Sequence, residues 1–274
     1  MIKEDQVTII IPHYGGSSES EYAIEQCLTS LEETVPDIDR IVVKNGPMCF
    51  HEGDMKIKRQ GQNKAVNAAV ATTNTPWIMV TNDDMVYSWQ WFKQLTKSVS
   101  NEVSCISPKL IEPRKGAPTF EVYFCGGAGG DFDKAKWLEF SKSKNDPQDG
   151  QSISSSMRTG FNLPFLIHRD LWNTIGGYDI NYDPWGSNGD SDLEYKIRLA
   201  GVQPYQNTET LVYHFSQTSG TFNPENRPYW GRNFAYFKEK WGFERTDTGI
   251  WEANFEMPKP PARIYCPPWE GKYA

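Results

Sequence analysis

"GQNKAVNAAVATTNTPWIMVTNDDM", residues Gly61 to Met85, is the stretch on which the fold turns. Gln62 to Thr73 reads as a helix, and "PWIMV", Pro76 to Val80, as a buried strand. Asn82, Asp83 and Asp84 follow, so acidic side chains emerge at the carboxyl end of a strand, the edge where α/β sheets hold their ligands. An isolated Asn-Asp-Asp is also common turn chemistry. Paired acids at a strand end can instead hold a hard divalent cation such as Mg²⁺ or Mn²⁺ and link it to substrate phosphates.

The same alternation continues outward. Upstream, "VTIII" (Val7 to Ile11) is a β-branched run stopped by Pro12, residues 21 to 33 place Ile24, Leu28 and Leu31 on one helix face, and "DRIVVKNG" (Asp39 to Gly46) is a second buried strand with a turn signal at Asn45-Gly46. Downstream, "SWQWFKQLTKSV" reads as a helix that Ser88 caps. Strands alternating with helices define an α/β protein with a doubly wound sheet.

Beyond residue 100 the pattern loosens. "FEVYFCGGAGGDFD" predicts a strand ending in a glycine loop; with no helix read after it, the loop is a turn or hinge rather than a dinucleotide fingerprint. Residues 140 to 156 are polar and suit a mobile lid. "FNLPFLIH" is a strand, "RDLWNTIGGYD" a short helix closed by glycines, 190 to 200 a helix, "ETLVYHF" a strand, and Asn226 to Trp241 an aromatic-rich helix. The tail 250–274 is too proline-rich for regular structure.

Composition narrows the function classes. The chain has 274 residues, 38% hydrophobic and 14% aromatic, which is ample for a packed core. A formal net charge of −7 disfavours nucleic acid as a partner. Five scattered cysteines include no CxxC pair, so neither a zinc site nor a disulfide framework is indicated. No apolar run is long enough to span a bilayer and "MIKEDQ" is no signal peptide, so the cytoplasm is the expected location, with peripheral contact at the inner face of a membrane left open.

A second acidic group lies in "YDPWGSNGDSDLEYKIRLAG". Asp190 opens a helix, where an N-cap accounts for one acid, while the glycine-punctuated loop before it carries Trp185, which either anchors the core or stacks on a sugar ring. A carboxylate at helix amides stays ionised, as a general base requires. Asn63, Lys64 and Asn67 open the earlier helix after Gly61, where free amides suit phosphate, although they can equally cap it. His214 ends a strand, packed there or bound to a metal.

Four segments in order resemble the GT-A fold glycosyltransferases, most closely glycosyltransferase family 2: "VTIIIPHY", "GQNKAVNAAVATTNTPWIMVTNDDM", "LIHRDLWNTIGGYD" with "GDSDLEYKIRLAG", and "LVYHFSQTSG". The resemblance runs from about Val7 to about Gly220. It implies one Rossmann-like GT-A domain over 1–249, with a mixed, mostly parallel central sheet flanked by helices, followed by a C-terminal extension at 250–274. Within it, 1–100 is the nucleotide-sugar half, 101–220 the acceptor-side half and 221–249 a closing helix.

The resemblance also assigns roles. Asp190 is the catalytic base, and Asp84 and His214 hold Mn²⁺ or Mg²⁺. Pro12, Tyr14, Lys44, Asn45, Asn63, Lys64, Asn67, Asn82 and Asp83 face a UDP- or GDP-linked sugar donor. Trp185, Gly186 and Asp192 face a saccharide or glycoconjugate acceptor, the tryptophan-glycine pair being similar to the acceptor loop of galactosyltransferase-like relatives. The sequence departs from the family at Lys44, where an aspartate usually contacts the base, at Asn82 in the DxD position, and at Gly189, which replaces the glutamate of a Glu-Asp pair. The implied reaction is inverting, since one base opposite the leaving group suffices. An inactive sugar-nucleotide binder on the same scaffold and a metal-dependent nucleotidyltransferase or phosphoesterase are the competing readings.

Overall fold

A computed structural model describes residues 2–48, 55–56, 61–114, 121–145, 157–216, 218 and 223–244. The β-branched run at the start forms β1 (Val7–Gly15), whose side chains alternate between two hydrophobic clusters: Val7, Ile9 and Ile11 enter one and Ile10 the other. In β4 (Trp77–Val80) Met79 enters the first and Ile78 and Val80 the second. Both faces of the sheet are therefore covered, which explains why these strands read as unbroken apolar runs.

The remaining strands are β2 (Asp39–Met48), β3 (Met55–Lys56), β5 (Met85–Tyr87), β6 (Cys105–Glu112), β7 (Glu121–Val122), β8 (Met157–Thr159), β9 (Phe165–His168) and β10 (Tyr205–His214). They form one ten-stranded sheet ordered β3-β2-β1-β4-β9-β6-β10-β5, with β7 on β6 and β8 on β10. β3, β2, β1 and β4 run parallel, β9 is antiparallel between β4 and β6, and β10 returns parallel to β6. The expected mixed α/β sheet is present.

Helices α1 (Ser18–Thr34) and α3 (Trp91–Lys97) contribute Ile24, Leu31, Trp91 and Leu95 to the first cluster, with Leu28 packed at its margin. α2 (Gln62–Val70), α5 (Arg169–Ile175) and α6 (Gly189–Leu199) supply Val66, Val70, Leu171, Leu193 and Ile197 to the second. α4 (Lys134–Asn145) packs Trp137 and Phe140 near β10, and α7 (Arg227–Trp241) lays Phe237 and Trp241 against Tyr182 and Tyr195.

Several local expectations are corrected. Pro12 does not stop β1: it pairs in register with Val43, while β4 reaches only as far as Ile10, so the missing N–H falls beyond the end of one neighbour. Asn45-Gly46 is no turn. β2 runs through it, and a Cβ on Gly46 would lie 1.6 Å from the Tyr14 carbonyl oxygen, so glycine is required by close backbone approach. Ser88 does not cap α3; Gln90, in the left-handed region at φ 63°, precedes it. A helix, α4, does follow the Gly126–Asp131 loop, which Tyr213 closes by donating to the Gly126 carbonyl at 2.7 Å. Part of the supposed lid is thus helical; 146–156 and the tail 250–274 lie outside the described residues.

Candidate active site

The carboxyl ends of β1, β2 and β4 gather the first group of expected residues. Pro12 and Asn45 are buried there, while Tyr14, Lys44 and Asn82 are half-buried. Asn82 accepts a hydrogen bond from Gln62 Nε2 at 3.3 Å. Asp83 turns inward, its Oδ2 2.6 Å from Nδ1 of His13, whose Nε2 is 3.1 Å from Glu21. Burial opposes charging of this imidazole, but the bond to Asp83 and the charges of Asp83 and Glu21 raise its pKa above the ordinary value. His13 went unrecognised from sequence; its only signal was its place beside Tyr14 at a strand end.

Asp84 meets His214, as expected. The antiparallel register of β5 and β10 sets His214 opposite Met85, and Asp84 Oδ1 lies 3.4 Å from His214 Nε2. The parallel register of β6 and β10 pairs Ile111 with Tyr213, which brings Glu112 to 2.8 Å from the other imidazole nitrogen, Nδ1. Thr218 Oγ1 donates to Asp84 Oδ2 at 2.9 Å. Burial would lower the pKa of His214, but the Asp84 charge and the bond to Glu112 lift it to about 10. Burial would raise that of Asp84, and His214 and Thr218 hold it below the usual value.

This pair fits a cation in two respects. Asp84 Oδ1 is buried and receives no hydrogen bond, and it faces an imidazole nitrogen. The other nitrogen is held by a carboxylate, the arrangement that orients metal-binding histidines. Among the described residues no group of three or more His, Cys, Asp or Glu is placed to hold a metal ion.

The second acidic segment lies across the first turn of α2. Asp183 accepts from the backbone amides of Asn63 at 3.1 Å and Lys64 at 2.9 Å, taking the helix N-terminus expected to receive phosphate. Asn63 Nδ2 donates to the Asp179 carbonyl and Asn67 binds both backbone groups of Tyr178, so these side chains fasten α2 to the 178–183 loop. Burial pushes the Asp183 carboxyl up to about 7, against the pull of the two amides and of Arg232 and Lys64.

Gly186 and Gly189 rest on this turn. A Cβ on Gly189 would come within 2.8 Å of Asn63 Nδ2, which is already bonded, so the glutamate of the family pattern has no room here. Asp190, second in α6, is exposed and does not cap it; Asn188 precedes the helix in the left-handed region. Tyr178 donates to Asp190 Oδ1 at 2.9 Å, and burial, with the Asp190 charge, keeps that phenol protonated far above its usual pKa. Trp185 is half-buried with its ring centroid 5.5 Å from that of Tyr14. The loop and the carboxyl end of β1 therefore lie together.

Asp192 is a correction. It is fully buried, receives Trp241 Nε1 at 2.9 Å and pairs with Lys240 Nζ at 2.6 Å, so it cannot touch an acceptor. Lys240 also bonds Asp179 at 2.7 Å, and this buried network ties α7 to α6.

No family model matches the sequence, and no curated protein does. Solved structures match the fold. A mannosyltransferase from Pyrobaculum calidifontis, solved with GDP-Man and Mn²⁺, is 14% identical at a TM-score of 0.52 over 85% of this chain and 64% of its own. GalNAc-T7, solved with UDP, GalNAc and Mn²⁺, is 15% identical at 0.53 over 76% of this chain and 43% of its own. TarS of S. aureus is 11% identical at 0.50 over 85% and 73%. The chain thus spans less than two thirds of the first two. Its fold is that of the GT-A glycosyltransferases.

Proposed function

We propose that the protein transfers a sugar from a nucleotide-diphosphate donor to a hydroxyl of a saccharide or glycoconjugate, with inversion. The observation carrying this reading is the Glu112–His214–Asp84 relay on a GT-A sheet, with the Asp190 helix set against the first turn of α2. Tyr14, Lys44, Asn45 and Asn82 line the donor end, over Pro12 and the inward-turned Asp83. Asn63, Lys64 and Asn67 support it from behind. A divalent cation, Mn²⁺ or Mg²⁺, held by Asp84 and His214 supplies Lewis-acid stabilisation of the departing diphosphate.

Asp190 then acts as general base. The acceptor oxygen forms its bond to the anomeric carbon as the bond to the phosphate oxygen breaks, and its proton passes to the Asp190 carboxylate. Tyr178, kept protonated, fixes that carboxylate by donating to Oδ1. Trp185 and Gly186 hold the acceptor ring beside it.

The test is hydrolysis and transfer with UDP- and GDP-linked sugars and Mn²⁺, alongside donor binding by calorimetry. Wild type should turn over one donor class, and Asp190→Asn should abolish turnover while sparing donor affinity. Loss of donor affinity in that variant would overturn the base assignment and favour a metal-centre role for Asp190, as a nucleotidyltransferase or phosphoesterase requires. Asn82 and Gly189, the two departures in the acidic motifs, favour the inactive binder as the second reading. Donor binding without any turnover by wild type would establish that.

A further inference from the structure

The aromatic surface that begins at Tyr14 and Trp185 continues onto α7. Tyr229, third residue of that helix, has its ring centroid 6.5 Å from that of Trp185 and remains 37% exposed. Among the described residues none of the three rings belongs to a hydrophobic cluster of the core. We propose that Tyr229 forms a second saccharide subsite beside Trp185, making the acceptor a chain of two or more sugars. This rests on the transferase reading given above.

The row is built into the fold. The Arg232 guanidinium sits 5.6 Å from the Tyr229 ring centre and donates to the carbonyls of Asn181 and Asp183. Asn233, fully buried, donates to the carbonyls of Tyr182 at 2.7 Å and Ser187 at 3.0 Å. α7 is thereby pinned to the loop on both sides of Trp185, which fixes the spacing of the rings. Successive rings are inclined by 54° and 56°. Nucleobases in sequence stack best on near-parallel rings, whereas linked pyranoses turn relative to one another and present an apolar C–H face to each platform in turn. Polar groups at the margin, Arg232 among them, suit the hydroxyl rim of a sugar.

The test uses the full chain with Mn²⁺ and UDP or GDP, applied to an array of gluco-, galacto-, manno- and N-acetylhexosamine chains from single sugars to hexamers. In at least one series, wild type should bind the disaccharide and longer chains about fivefold more tightly than the monosaccharide. Tyr229→Ala should erase that gain without changing monosaccharide or nucleotide affinity, and Tyr229→Phe should retain it. A gain that survives Tyr229→Ala, or the absence of any length dependence in every series, overturns the subsite. Nucleotide binding is scored in the same samples: if it persists, only the subsite fails; if wild type binds no nucleotide, the transferase reading fails with it.

Discussion

The Glu112 carboxylate, 2.8 Å from Nδ1 of His214, fixes which imidazole nitrogen faces Asp84. Glu112→Gln should therefore weaken Mn²⁺ binding in the presence of nucleoside diphosphate by about 10- to 100-fold, read by calorimetry, with little effect on nucleotide binding without metal. At Gly189 the consequence is steric: Gly189→Ala drives a methyl against the pinned Asn63 and should cost about 1–3 kcal/mol in urea denaturation. Asp84 and His214 were legible as partners only through the family resemblance, since a histidine at a strand end is by itself as readily packed as bound. His13 and Glu112 were not, since their positions follow from strand register, which no spacing in the sequence encodes. Asn45-Gly46 carried a real signal with the wrong cause, as a glycine demanded by a neighbouring backbone looks the same as one demanded by a turn.

Among the elements, α2 and α7 carry opposite electrostatic signatures. Asp183 at the start of α2 has its pKa raised to about 7, so its contribution to stability is complete below the unfolded-state value near 4 and is lost as pH rises through about 7. Urea midpoints across that window should fall with pH in wild type by a component that Asp183→Asn removes. Asp179, held low despite burial by Lys240, behaves in reverse: its contribution is present above pH 4 and lost in acid. Lys240→Met removes the nearest cation from two buried carboxylates and should destabilise the protein by about 3–5 kcal/mol in the same assay. Most of the helices were readable from their residue pattern, α7 to within a residue of its observed bounds, but α4 was not, because its polar second half reads as loop. What their acids bind was not readable: Asp192 and Asp190 sit two positions apart on one helix, one enclosed by α7 and the other exposed.

For the whole molecule, a nucleotide that occupies the strand ends stabilises the folded state by mass action. At a hundredfold excess over Kd the gain is about 2.7 kcal/mol, a rise of several degrees in Tm that should be larger with Mn²⁺ and lose that increment in Asp84→Ala. The sheet class was evident from strand and helix alternation, but the antiparallel insertion of β9 between β4 and β6 was not, because its apolar pattern is shared by parallel and antiparallel buried strands. One further consequence concerns assembly. The His214–Glu112 and Thr218–Asp84 contacts close loops of 102 and 134 residues, so the Asp84–His214–Glu112 cluster cannot assemble until β10 has joined the sheet. During synthesis, a ribosome-bound chain stopped short of β10 already contains β1, β2 and β4 yet only the Asp84 and Glu112 side of that cluster, so any Mn²⁺ affinity should emerge abruptly once β10 is made.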